Sequence, residues 1–548
     1  MRSPSIKQKT SWLFTSVLTP LNTFTPQLIF ISAALLLLLG LGAAPVYILD
    51  EAKNAQTARE MLEQKEWIVP TFNGTLRSHK PPLHYYFMQL SYTFFGVNAF
   101  GARFFSAIMG WLTVWITWYF VKKFIGKQEA SWAAVTLLLS THFLFEFRLA
   151  VPDPYLIFFV TAGTLCFHAY VMENRMKWLM LSAIAIALAI LAKGPVALAL
   201  PGLSVICWTL MTKRFPALLS FRMILYFLTI LAVAAPWYVA VHIATDGAFS
   251  REFFFTHNVG RFKKPMEDHG GNIALIPVIV FTGLLPLSVF AVNIFKSKSH
   301  FQGNALWQLS LYVAVITILF FSISGTKLPN YPMSCYPFVA ILVGCCLARL
   351  TAYHPAGGRD ALWVLLFLSC GLFVGGFVAL SFEKALKNMM MWPLIFLIPI
   401  IATAIALRQQ RKKGIGPALV VISGGYALFN LVALSLAYPA LYQQNPVAKT
   451  VHLFQPGEQV YAYKRYNSAY NFYLDNPIIV LSDKKSLQEL LARSPNAKII
   501  SRENELAGLA GIPIKVIASE NDLFETPTTV IFCAKIPSGY EASIFKAE

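Results

Sequence analysis

Charge is scarce in this chain. Only 13% of its 548 residues are Asp, Glu, Lys or Arg, about half the share usual in soluble domains, which is roughly 25%. Acidic residues are the scarcer kind, 26 against 45 basic. Cysteine is equally uninformative: seven residues (Cys166, Cys207, Cys335, Cys345, Cys346, Cys370, Cys533) fall mostly inside apolar runs with no CxxC spacing. That pattern excludes a disulfide framework and a thiolate metal site. A glycine-rich phosphate loop is missing too, so no nucleotide cofactor is expected. Nor is there an evident internal repeat, or low complexity beyond the N-terminal arm.

What fills the chain instead is apolar sequence. Fully 56% of residues are hydrophobic, gathered in runs of the length that crosses a hydrocarbon core of roughly 30 Å. The fold class is therefore an α-helical polytopic membrane protein. About thirteen transmembrane helices are expected, near 27–48, 104–121, 129–145, 155–172, 178–192, 195–211, 223–241, 272–295, 305–324, 332–348, 361–382, 391–407 and 417–438. Gly42-Ala43-Ala44 resembles a signal cleavage site, but the arm before the first span is too long for a signal peptide.

An odd number of spans puts the two ends on opposite sides. The short segments 1–26, 122–128, 173–177, 212–222, 296–304, 349–360 and 408–413 hold 19 Lys and Arg. Their counterparts 146–154, 193–194, 325–331 and 383–388 hold 5. Basic short loops stay cytoplasmic, so the N-terminus is expected inside and the C-terminus outside. The net charge of +19 is thereby accounted for by topology, and nucleic acid is not an expected partner. Three regions follow: a cytoplasmic arm 1–26, a transmembrane body 27–440 with long external loops 49–103 and 242–271, and an external α/β unit over 441–548. That last unit is expected because short β-like runs such as EQVYAY and TTVIFCAK alternate with helical patterns.

Every polar motif of interest falls on the expected external side. Asp50-Glu51 follow the first span directly. A partly desolvated carboxylate there suits a general base or a cation contact, although Asp also caps helices for purely structural reasons. His79-Lys80-Pro81-Pro82 is a stiff turn holding a compact cation that suits a lipid phosphate, or an ordinary interfacial basic residue. Asp153 sits between two prolines, a favoured turn position in any case. His257 and Arg261 lie four apart, one helical face, fit for a phosphate or a metal–phosphate group. Gly325-Thr-Lys327-Leu-Pro-Asn-Tyr331-Pro and the weaker Lys193-Gly-Pro are short turns with a cation. Together they set Lys80, Arg261, Lys327 and Lys193 around Asp50 and Asp153 on one surface. Such a ring fits a phosphate-linked substrate arriving from the bilayer.

The same motifs resemble a known family. Asp50-Glu51, the amphipathic AREMLEQKEWIVPTFNG, the KPP turn, PDP, LAKGP, HNVGRF and GTKLPNYPMSCYP, in that order, look like the aminoarabinose transferases of lipid A. These belong to the wider polyprenyl-phosphate-sugar and protein O-mannosyltransferase group with the GT-C fold. The resemblance implies an inverting glycosyltransferase of the bacterial inner membrane, most simply a monomer, with its active site on the periplasmic face. It would take a sugar from undecaprenyl phosphate and give it to lipid A or another envelope acceptor. By that likeness Asp50 is the catalytic carboxylate, and Glu51 and Lys53 contact substrate beside it. Lys80 and Arg261 hold the carrier phosphate, while Asp153, Lys193, Lys327 and Tyr331 line the cavity. His79 and His257 would bind a divalent metal, zinc or magnesium. Two departures stand out. His79 replaces a Glu of the lipid A members, and Lys53 replaces an Arg; a histidine ligates zinc but does not neutralise an amino sugar. Rival readings are a transferase for a different glycan or a protein, and a lipid-linked-sugar flippase, for which repeats and midplane charges are expected.

Overall fold

The computed structural model describes residues 25–260 and 270–535. Among the described residues, nine helices are long and apolar enough to cross a membrane, or ten if one bent pair counts as a span. Two shorter apolar helices, Pro26–Leu38 and Val196–Met211, stand beside these, so the expected count of thirteen is not confirmed, and the differences are local. The run 27–48 forms only the helix Pro26–Leu38, about 20 Å long at 1.5 Å per residue. It ends where Gly40 turns into the left-handed region at φ +67°. The run 129–145 divides at Ser140, whose hydroxyl accepts from the Phe143 amide and starts a new short helix, Thr141–Glu146. Helix Val196–Met211 has 16 residues and carries Pro201 inside it. The run 272–295 becomes Leu275–Gly283 and Leu287–Ile294, bent by 111° around a break containing Pro286, which cannot continue a helix ladder.

The long first loop is built on helix Leu49–Glu63. Its orientation is set by Glu51, which is fully buried and ion-paired with Arg103 at 2.7 and 2.8 Å. The same carboxylate accepts from the Ala150 amide at 2.9 Å. Arg103 also donates to the carbonyls of Leu41, Ala44 and Pro45. One guanidinium therefore ties together the end of the first short helix, the loop helix and the start of helix Ala99–Phe124. Arg148 does similar work one layer away, donating to the carbonyls of Leu36, Leu37, Leu39 and Leu434.

After helix Leu49–Glu63 comes a two-strand hairpin, Thr71–Phe72 with Thr75–Leu76. Asn73 and Gly74 turn it with φ of 52° and 73°, the Asn-Gly choice that a tight hairpin favours. Buried Glu60 receives the Asn73 amide at 2.7 Å and the Thr71 hydroxyl at 2.7 Å. Beyond residue 445 the chain forms a five-stranded mixed sheet. Its spatial order is Ile479–Leu481, Tyr461–Tyr463, Ile499–Arg502, Thr528–Ala534, Ile514–Asn521, the first three parallel and the last two an antiparallel pair. This unit docks on the hairpin. Asn73 exchanges hydrogen bonds with Ile478 at 2.8 and 2.9 Å and accepts from Asn471 at 2.9 Å. Arg59 donates to the Leu474 carbonyl at 3.0 Å.

Two predictions follow from these contacts. Arg103→Met strands a buried carboxylate, a loss of about 3–5 kcal/mol. A clear fall in thermal midpoint in detergent is expected, and most of it should return in the double variant Glu51→Gln/Arg103→Met. Asn73→Ala removes three side-chain hydrogen bonds, each contributing about 0.5–1.5 kcal/mol net. Limited proteolysis should then cut the C-terminal unit from the membrane body faster than in the wild type, while the membrane body keeps its melting behaviour.

Candidate functional site

Asp50 and Glu51 open helix Leu49–Glu63, where the helix dipole favours carboxylates. Consecutive residues lie about 100° apart on a helix, and their fates diverge accordingly. Glu51 is spent on Arg103, so its expected substrate contact is corrected: a charge with no solvent exposure and a bidentate partner serves the fold. Asp50 is exposed, and its charge acts on Tyr85 and Glu146. Lys53, one turn on and half-buried, acts electrostatically on His79.

The basic turn is fixed from both sides. Arg77 donates to Asn54 at 2.9 Å and to the Tyr85 hydroxyl at 3.2 Å, and its amide meets the Pro70 carbonyl at 2.8 Å. Ser78 donates to the carboxylate of Glu252, which joins the first long loop to the second. Glu252 begins the π-helical stretch Glu252–Gly260, a geometry frequent at functional sites. That stretch brings His257 against His79, with ring centroids 4.1 Å apart. His79 shows an open edge to the cavity mouth, yet its pKa is held down to about 3. Burial of part of the ring is the main cause, followed by His257 and the charges of Arg77, Lys80 and Lys53. The imidazole is neutral at physiological pH.

His79, Lys80 and His257 meet at a cavity of about 490 Å³, which Asp50 and Lys53 do not line. Its polar end is lined by His79, Lys80, Lys193, His257 and Tyr331, and its far end by apolar side chains such as Leu156, Val160, Val313 and Phe320. Lys193 ends helix Met176–Lys193. Its ammonium contacts Asp153 at 2.5 Å and lies 5.1 Å from the Tyr331 ring centre. Asp153, at the start of helix Asp153–Glu173, is buried beneath it. Gly194, with φ +90°, lets the chain turn here, and a Cβ at that position would stand 2.6 Å from the Phe253 ring. Close approach of the π-helical stretch thus depends on that glycine.

Of the residues expected at the site, Lys80, Lys193, Tyr331, His79 and His257 line one cavity, and Asp153 supports it through Lys193. Lys327 stands at its edge, donating to the Ser324 carbonyl at 2.7 Å, and Ser324 is a lining residue. Arg261 lies outside the described residues. For a metal, His79 and His257 supply two imidazoles. Among the described residues no group of three or more His, Cys, Asp or Glu comes together to hold an ion, fewer donors than zinc takes. No chemical step is assigned to a metal. Arg103, Ser78 with Glu252, and Glu146 went unread in the sequence. The signal for Arg103 and Glu146 was a single ionisable residue at the edge of an apolar run, which is costly unless partnered.

Comparison with known proteins agrees with this geometry. Residues 28–246 match the family model described as dolichyl-phosphate-mannose-protein mannosyltransferase. An uncharacterised protein of Aquifex aeolicus is 30% identical over 321 residues, 58% of this chain and 72% of that one. An undecaprenyl phosphate-alpha-4-amino-4-deoxy-L-arabinose arabinosyl transferase of Shewanella sediminis is 29% identical over 315 residues, but the match spans only 57% of that protein. The enzyme of the same name from Pseudomonas savastanoi is 27% identical over 429 residues, 75% of this chain and 77% of the relative. In structure, ArnT from Cupriavidus metallidurans bound to undecaprenyl phosphate superposes with a TM-score of 0.79 at 21% identity, covering 92% of this chain and 97% of that one. At that identity the likeness speaks for the fold. Sequence relatives, fold and a cation-headed apolar cavity agree: the chain is a multi-pass membrane glycosyltransferase of the GT-C class and belongs with the lipid A aminoarabinose transferase-like enzymes that depend on undecaprenyl-phosphate sugars.

Proposed function

We propose that this protein transfers a sugar from undecaprenyl phosphate to lipid A or another envelope acceptor on the periplasmic face of the inner membrane, inverting the anomeric centre. The observation that carries the reading is the shape of the cavity. Two lysines, Lys80 and Lys193, with His79, His257 and Tyr331, line a pocket whose other side chains are mostly apolar. A phosphate joined to an isoprenoid chain has that same division of charge and grease.

The chemistry needs little more. As the glycosidic bond breaks, negative charge grows on the departing phosphate, and cations already in place stabilise it without reorganising. Lys80 is held by the stiff turn between Arg77 and Pro82, and Lys193 by Asp153, so both are preorganised. The acceptor attacks the opposite face of the sugar in a single displacement, which inverts the centre. A hydroxyl acceptor gives its proton to Asp50. A phosphate acceptor is already ionised, and Asp50 then steadies the oxocarbenium-like sugar. Neutral His79, with His257 beside it, hydrogen-bonds the sugar–phosphate. Aminoarabinose is the sugar that the named relatives suggest. Among the described residues that line the cavity none is a carboxylate, which keeps a related uncharged sugar as the alternative.

Deleting the gene and comparing lipid A and other envelope glycans by mass spectrometry identifies sugar and acceptor together. Wild-type complementation should restore the missing sugar. Asp50→Asn should lower transfer by about 10²–10⁴-fold, and Lys80→Met by about 10²–10³-fold, with both proteins still inserted in the membrane. A purified protein that carries lipid-linked sugar across vesicles and yields no transfer product would establish the flippase reading instead.

A further inference from the structure

Beneath the cavity lies a carboxyl group that the mechanism above does not use. Glu146 ends the short helix Thr141–Glu146 and is only 5% exposed. Three charged groups act on it: Asp153 and Lys193 from the two helices that meet at the cavity, and Asp50 from the loop helix. Asn330, next to Tyr331, hydrogen-bonds it, and the Tyr336 hydroxyl senses its charge. Its own segment adds no cation at this point, because Arg148 is engaged with the carbonyls of Leu36, Leu37 and Leu39.

The charges of this buried group do not balance. Asp153 and Glu146 are two carboxyls against one ammonium, Lys193, and Asp50 adds a third negative charge nearby. Buried like charges resolve such an excess by keeping a proton on one partner. Asp153 has the direct contact with Lys193, which leaves the proton to Glu146. Consistent with this, burial and then the Asp153 charge push the Glu146 pKa up to about 8.

We propose that Glu146 is a positioning residue for the donor phosphate: as a neutral acid it lets Lys193 face the cavity at nearly full charge, and when it ionises it draws the ammonium inward and repels the phosphate. The inference rests on the reading that a carrier phosphate occupies the cavity. Its signature is in the alkaline range, where a phosphate monoester is already doubly ionised because its second pKa is about 6, and where lysine still holds its proton.

The test uses the full-length protein in nanodiscs with undecaprenyl phosphate as the probe, its affinity measured from pH 7 to pH 9.5. The wild type should lose on the order of tenfold in affinity across that range. Glu146→Gln, which cannot ionise, should hold one affinity throughout. Asn330→Ala, which removes a hydrogen bond that favours the ionised form, should move the wild-type decline to higher pH. This second variant keeps the test decisive if Glu146→Gln is recovered poorly. Parallel decline of wild type and Glu146→Gln, or an unmoved midpoint in Asn330→Ala, would overturn the role of Glu146 while leaving the carrier-phosphate reading intact. Absence of probe binding by the wild type at pH 7, or binding indifferent to Lys80→Met, would remove that reading and this inference with it.

Discussion

The arrangement of the loop helix and the segments packed on it depends on one buried ion pair, Glu51 with Arg103. Two opposite charges withdrawn from water are tolerable only when their geometry is good and their remaining hydrogen-bonding capacity is filled. Here the guanidinium meets both carboxylate oxygens and three backbone carbonyls, and the carboxylate takes an amide from the segment before Asp153. Because Glu51 points inward, its helical neighbour Asp50 is turned toward the outer surface. A structural charge thus sets the direction of its exposed neighbour.

From that anchor the site is assembled out of parts remote in sequence. The loop helix brings Asp50 and Lys53, the stiff turn brings His79 and Lys80, and the π-helical stretch brings His257. The junction of two membrane helices brings Lys193 over Asp153. No single segment binds the substrate. The links between segments are short-range polar contacts such as Ser78 with Glu252 and Lys193 with Asp153, and burial of the second pair raises its strength.

Much of this was legible in the order of residues, and the failures are as instructive. Lys80 and His79 were readable because prolines on one side make the turn stiff whatever surrounds it. Lys193-Gly-Pro was ranked low as a tight turn, yet it supplies the central cation, since the value of Gly194 lies in its closeness to Phe253 and that contact is tertiary. Asp50 and Glu51 were both set at the substrate, as catalytic carboxylate and as contact, because adjacent acids look alike until a partner is known; Arg103 is 52 residues away. Expected spans come out shortened or divided where a glycine, a serine or a proline interrupts the helix within a continuous apolar run. Hydropathy measures the run and is blind to the break.

Helix Val196–Met211 carries a further consequence. Its 16 residues reach about 24 Å, less than the roughly 30 Å of hydrocarbon around it, and its Pro201 borders both the main cavity and a smaller apolar one of about 90 Å³. Lipids beside so short a wall must compress or tilt to cover it. The stretch of bilayer adjoining the catalytic chamber is therefore softened by the protein itself. A long isoprenoid tail, which packs poorly among straight acyl chains, would find its least crowded surroundings there.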